Sequence, residues 1–147
     1  MPLLGISIFD VGGEVDTIAY YRSKGNSGNQ DETYRRLLDT VSRAFQADGR
    51  EQERLLGETA TESARLNQEH LSKARLDDFI AAAEEKGALG VLVAHSGTVV
   101  GALWASDMRA ADMEARTQEL AEAFDGAYTY MQNARLISGG VVCEIRA

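Results

Sequence analysis

A single cysteine and a single proline occur among the 147 residues. Cys143 can form no intramolecular disulfide and cannot by itself build a structural zinc site. With proline confined to position 2, nothing downstream interrupts a helix. Long apolar runs are missing as well. The longest, 88–94 and 98–105, fall far short of the ~20 residues that span a bilayer. Basic charge is scarce: fifteen Lys and Arg stand against 23 Asp and Glu, a net charge of -8. That balance denies the chain the clustered cations of a nucleic-acid binder and disfavours anionic membrane surfaces. The opening Met1-Pro2-Leu3-Leu4 has no basic leader and no cleavage site, so secretion is not expected. Neither a Gly-x-x-x-x-Gly-Lys-Ser/Thr loop nor a Gly-x-Gly-x-x-Gly turn is present. The remainder is 44% hydrophobic and 26% charged, which suits one domain over residues 1–147 with a real core. The expectation is a cytoplasmic, acidic α+β protein.

Alternation around Ile6 and Ile8 predicts a strand over 3–9, closed by a turn at Asp10-Val11-Gly12-Gly13. A second extended piece is expected over 15–21 and a Gly-rich loop over 23–29. From 31 to 47, Tyr34, Leu37, Leu38, Val41 and Phe45 form one apolar stripe on a helix. The next helix, 50–71, carries a weaker face of Leu56, Ala60, Ser63, Asn67 and Leu71. A face that small can approach another backbone, border a ligand site, or simply lie half-exposed. A third helix over 75–86 uses Leu76, Phe79, Ile80 and Ala83 and stops at Gly87. Strands are expected over 89–94 and 99–105, then a helix over 108–124 with Ala111, Met113, Leu120 and Ala121. Two β-like stretches, 128–133 and 136–145, finish the chain. This order fits a ferredoxin-like split β-α-β sheet, mostly antiparallel, with helices on one face.

Chemistry concentrates in the turn His95-Ser96-Gly97-Thr98 between two apolar strands. Glycine permits close backbone approach, Ser96 and Thr98 offer hydroxyls, and His95 titrates near neutral pH. The same four residues also make a good structural hairpin turn. Asp10, Glu14 and Asp16 flank Gly12-Gly13 and read either as solvated turn acids or as oxygen ligands for a hard cation. Asp77 and Asp78 suit the first turn of a helix. Glu84, Glu85 and His70 read as surface, and no catalytic residue can be assigned from spacing.

In chain order, Leu66-Asn67-Gln68, Leu76-Asp77-Asp78, Ala81-Ala82-Ala83, Gly87-Ala88-Leu89-Gly90 and His95-Ser96-Gly97-Thr98 resemble the C-terminal half of the GHMP-type small-molecule kinases. That superfamily includes galactokinases, homoserine kinases and mevalonate kinases. The family's Gly-Ala-Gly-Gly-Gly turn is replaced here by His95-Ser96-Gly97-Thr98-Val99. Together with residues 9–17 and Ser138-Gly139-Gly140-Val141, that version is similar to the L-threonine kinase branch linked to cobamide (cobalamin) synthesis. The resemblance implies ATP-dependent phosphorylation of a small hydroxylated metabolite, L-threonine by analogy. Asp16, Thr17, His95, Ser96, Gly97 and Thr98 would then be the substrate-binding residues. ATP and Mg2+ would serve the parent kinase, with neither bound tightly by this chain and no protein metal site. The family's ATP-phosphate loop and catalytic acid belong to an N-terminal domain that the sequence does not contain, so no activity is expected from the chain alone. The expected partner is that missing N-terminal half, or a second copy through the same face. The competing reading is a non-catalytic ferredoxin-like binding or oligomerisation module.

Overall fold

The computed structural model describes residues 3–13, 31–94 and 97–136. Within them, strand β1 (Gly5–Asp10) is followed by helices α1 (Asp31–Gln46), α2 (Gly49–Asn67) and α3 (Leu76–Glu85). The hairpin β2 (Gly90–Val93) and β3 (Val99–Trp104), helix α4 (Ala110–Ala123) and strand β4 (Thr129–Arg135) complete the described order. The strands form one sheet in the order β2-β3-β1-β4, with every neighbouring pair antiparallel. This is the expected ferredoxin-like arrangement, the two central strands being the first and third in sequence.

Period-two alternation decides which residues meet the helices. Phe9 on β1 and Val100, Ala102 and Trp104 on β3 share the main core with Phe79 and Ile80 of α3 and Met113 and Leu120 of α4. Phe79 stands at the centre of an aromatic cluster, its ring 5.2 Å from Phe9, 5.2 Å from Phe124 and 5.0 Å from Tyr128. All four apolar residues named for the third helix are buried, and Gly87 ends it at φ 80°, a left-handed stop that glycine adopts without penalty.

Helix α2 departs from the expected face. Its buried residues are Glu53, Leu55, Gly57, Thr61, Ala64 and Asn67, and it ends at Asn67 rather than residue 71. Of the expected face, only Asn67 is among them. The burial follows from what α2 covers, namely the outer edge of β2 as well as apolar core. Thr61 accepts the outward-pointing N–H of Val91 through its hydroxyl, at 2.9 Å. Gly57 and Gly90 let the two backbones touch, and a Cβ on either would collide with the other segment's backbone.

Helix α1 is amphipathic as its spacing predicts, yet part of its stripe faces outward: Leu38 is 64% and Phe45 65% exposed, while Leu37 and Val41 are half-buried and Ala44 is buried. In α4 the buried set is Met113, Thr117 and Leu120, with Ala111 exposed. The first terminal stretch is β4. Most of the second, like the expected pieces at 15–21 and 23–29, lies outside the described residues. No helix among the described residues is long and apolar enough to cross a membrane.

Candidate functional site

The turn that follows β2 and the loop that follows β1 share one rim of the sheet. The register places Asp10 opposite Val99, so the antiparallel pairing of β1 with β3 sets Asp10 beside Thr98. The ladder continues one step past the strand, with the Val11 N–H donating to the Thr98 carbonyl at 2.9 Å. Gly12 at φ 72° and Gly13 at φ 87° turn the chain away, and the Gly12 N–H donates back to Asp10 Oδ1 at 2.9 Å. A hydrogen bond from the Thr98 side chain, and secondarily the one from Gly12, hold the Asp10 carboxyl below its usual range. Such a group is an acceptor rather than a base, because hydrogen bonds to the ionised form weaken its hold on a proton. Asp10 can orient a hydroxyl or an ammonium group, and it is poorly suited to deprotonate one.

The other stem of the turn is fixed from a different direction. The Ala94 N–H donates to the Val99 carbonyl at 2.8 Å, and the Ala94 carbonyl accepts the Lys73 ammonium at 3.0 Å. Lys73 comes from the segment between α2 and α3, and only 3% of its surface is exposed. Burial pushes its ammonium down from the ordinary 10.5. The segment is itself held. Gln68 takes the Lys73 N–H at 2.6 Å and returns a bond to the Lys73 carbonyl at 3.0 Å. The Tyr128 hydroxyl donates to the Ala74 carbonyl at 2.8 Å. Arg75, left-handed at φ 58°, lays its guanidinium 4.6 Å from the centre of the Phe124 ring.

Of the expected substrate residues, Gly97 and Thr98 are described, and both are half-buried. Asp16, Thr17, His95 and Ser96 lie outside the described residues, as do Glu14 and residues 138–141. Among the described residues no group of three His, Cys, Asp or Glu could hold a metal ion. Asp77 and Asp78 are exposed partners of Arg65 and Arg75. A cavity of about 640 Å³ lies away from the rim, bordered by Thr33, Glu58, Thr61, Arg65 and Leu89 near the start of β2. Sequence reasoning passed over Lys73, since a lysine in a short polar linker reads as solvent-facing. Its only forward signal was the Gln68 five residues earlier.

A family model described as "GHMP kinases C terminal" matches residues 42–123, more than half of the chain. The structure of L. major mevalonate kinase in complex with R-mevalonate is similar at TM-score 0.63 and 20% identity, covering 90% of this chain and 41% of that one. Homoserine kinase from Cytophaga hutchinsonii is similar at TM-score 0.56 and 18% identity, covering 92% of this chain and 46% of that one. The chain thus spans less than half the length of either. Among curated proteins, none matches it significantly.

Proposed function

We propose, from the premise that this chain belongs to the GHMP kinases as their C-terminal domain, that it forms the acceptor-side wall of a small-molecule kinase. The reaction is transfer of the ATP γ-phosphoryl group to the hydroxyl of a small metabolite. L-Threonine is the favoured acceptor, on the resemblance of residues 95–99 to the threonine kinase branch. The observation that carries this reading is the half-exposed Gly97-Thr98 turn, pinned at one stem by Asp10 and Val11 and at the other by Lys73. Phosphoryl transfer depends mainly on positioning and on stabilising charge around the γ-phosphate, and a wall fixed from two sides meets the first need. His95, Ser96, Asp16 and Thr17 are proposed to line the acceptor pocket with Gly97 and Thr98.

GHMP kinases use ATP and typically Mg2+, which arrives with the nucleotide phosphates. The proposed role of this chain is to hold the acceptor. The phosphate loop and catalytic acid are assigned to a partner half, and the setting is cytoplasmic. Mixing the chain with that half, or fusing the two, should give threonine-dependent ATP consumption. Turnover of other hydroxylated metabolites but not threonine would move the substrate assignment. Failure with every hydroxylated acceptor would end the kinase reading. The outward apolar stripe of α1 favours one alternative, a non-catalytic module that associates through that helix.

A further inference from the structure

Most lysines keep the ammonium in water and bury only the stem. Lys73 does not, and among the described residues no carboxylate lies within ion-pair distance of it. A buried cation without a counter-ion is costly to the fold, so a group kept in that condition is a candidate for work other than stability. Its hydrogen bond goes to a backbone carbonyl, that of Ala94, which an apolar side chain could not engage. Ala94 is the last residue before the turn.

We infer that Lys73 is a positioning residue, which fixes the β2 stem of the hairpin, across from Gly97-Thr98, by clamping the Ala94 carbonyl. This rests on the functional reading above only for its catalytic consequence; the mechanical claim concerns this chain alone. The clamp is built in series. Gln68, at the end of α2, grips both main-chain groups of Lys73, and Tyr128 holds the carbonyl of the next residue. Lys73 Nζ then reaches Ala94. Opposite it, Asp10 and Val11 hold Thr98. The hairpin is therefore held at both stems, one through the Asp10 carboxylate and the backbone ladder and one through a cation. Lys73 also brings positive charge to the rim, and no carboxylate among the described residues takes it up.

The experiment measures amide hydrogen exchange and thermal stability of the full chain carrying Lys73→Met, which keeps length and packing but removes the ammonium. Exchange at the Ala94 amide should quicken at least tenfold, with amides of the β1–β3 ladder unchanged and the melting temperature unchanged or raised. Unaltered exchange at Ala94 overturns the inference, and so does an equal quickening at every amide, which would make Lys73 an ordinary structural residue. Should the Met variant not fold, Gln68→Ala frees the Lys73 main chain while leaving the ammonium. It must quicken Ala94 exchange at least threefold, or the inference falls. In the reconstituted kinase, Lys73→Met should lower kcat at least thirtyfold with the KM for ATP within threefold, and Lys73→Arg should recover part of the loss. An unchanged kcat overturns the catalytic consequence. A wild-type mixture that is inert counts against the kinase reading instead, and the exchange result then still decides the clamp.

Discussion

Ser7 is fully buried yet polar, and its surroundings show why. The Trp104 indole N–H donates to Ser7 Oγ at 2.7 Å. Thr117 gives its single hydroxyl proton to the Met113 carbonyl at 2.6 Å, so in the 2.6 Å contact between Ser7 and Thr117 the serine is the donor. Ser7→Ala strands the indole N–H in the core and should cost about 1–3 kcal/mol, read from urea denaturation. Thr117→Val made in that background should cost less than in the wild type, because the two hydroxyls act as one unit. At the rim, Asp10 has a lowered folded-state pKa. Its contribution is present above the unfolded value and is lost as pH falls through the folded one. Thr98→Val removes the principal cause, so the Asp10 carboxyl resonance should titrate closer to 3.8, with the Gly12 bond leaving a residual depression. An unchanged midpoint would show that Thr98 does not hold the carboxylate.

Among the elements, α2 tests the close approach most directly. Gly57→Ala or Gly90→Ala places a methyl group against backbone that cannot swing aside, and should cost on the order of 3 kcal/mol in chemical denaturation. Gly12→Ala meets nothing within 4 Å and should be felt only through its positive φ, at roughly 1 kcal/mol. The same contrast explains how much could be read beforehand. Helix α3 was legible because Leu76, Phe79, Ile80 and Ala83 repeat at the helical period and all four are buried. The hairpin and its turn were legible because two apolar runs flank residues that favour a bend. The buried side of α2 was not, since Gly57 and Thr61 meet a strand edge and carry no hydropathy signal for it. Helix α1 shows the opposite limit: periodicity gives a face but not what covers it. The Asp10–Thr98 and Lys73–Ala94 contacts depend on register and on a loop path, which local pattern does not encode.

For the molecule as a whole, alkaline titration gives a signed test. Burial pushes the Tyr128 hydroxyl up to about 12, so its contribution is complete below the unfolded value near 10 and falls away as pH rises through the folded one. Lys73, shifted down, acts in the other sense: its penalty is relieved as pH climbs toward 10.5. The urea midpoint of Tyr128→Phe should therefore start lower, through loss of the Ala74 bond, and decline less steeply between pH 10 and 12. A parallel decline would remove Tyr128 as the cause. The stripe on α1 predicts association of the isolated chain, and Leu38→Glu with Phe45→Glu should yield monomers in sedimentation at an unchanged melting temperature. Association surviving that pair would place the contact elsewhere. Helix α2 has a last consequence, through its seat against β2. With that margin plugged by Thr61, the sheet among the described residues can accept a new neighbour only alongside β4. Two molecules joined there would use up the open margin of each described sheet, so among the described strands addition stops at a pair.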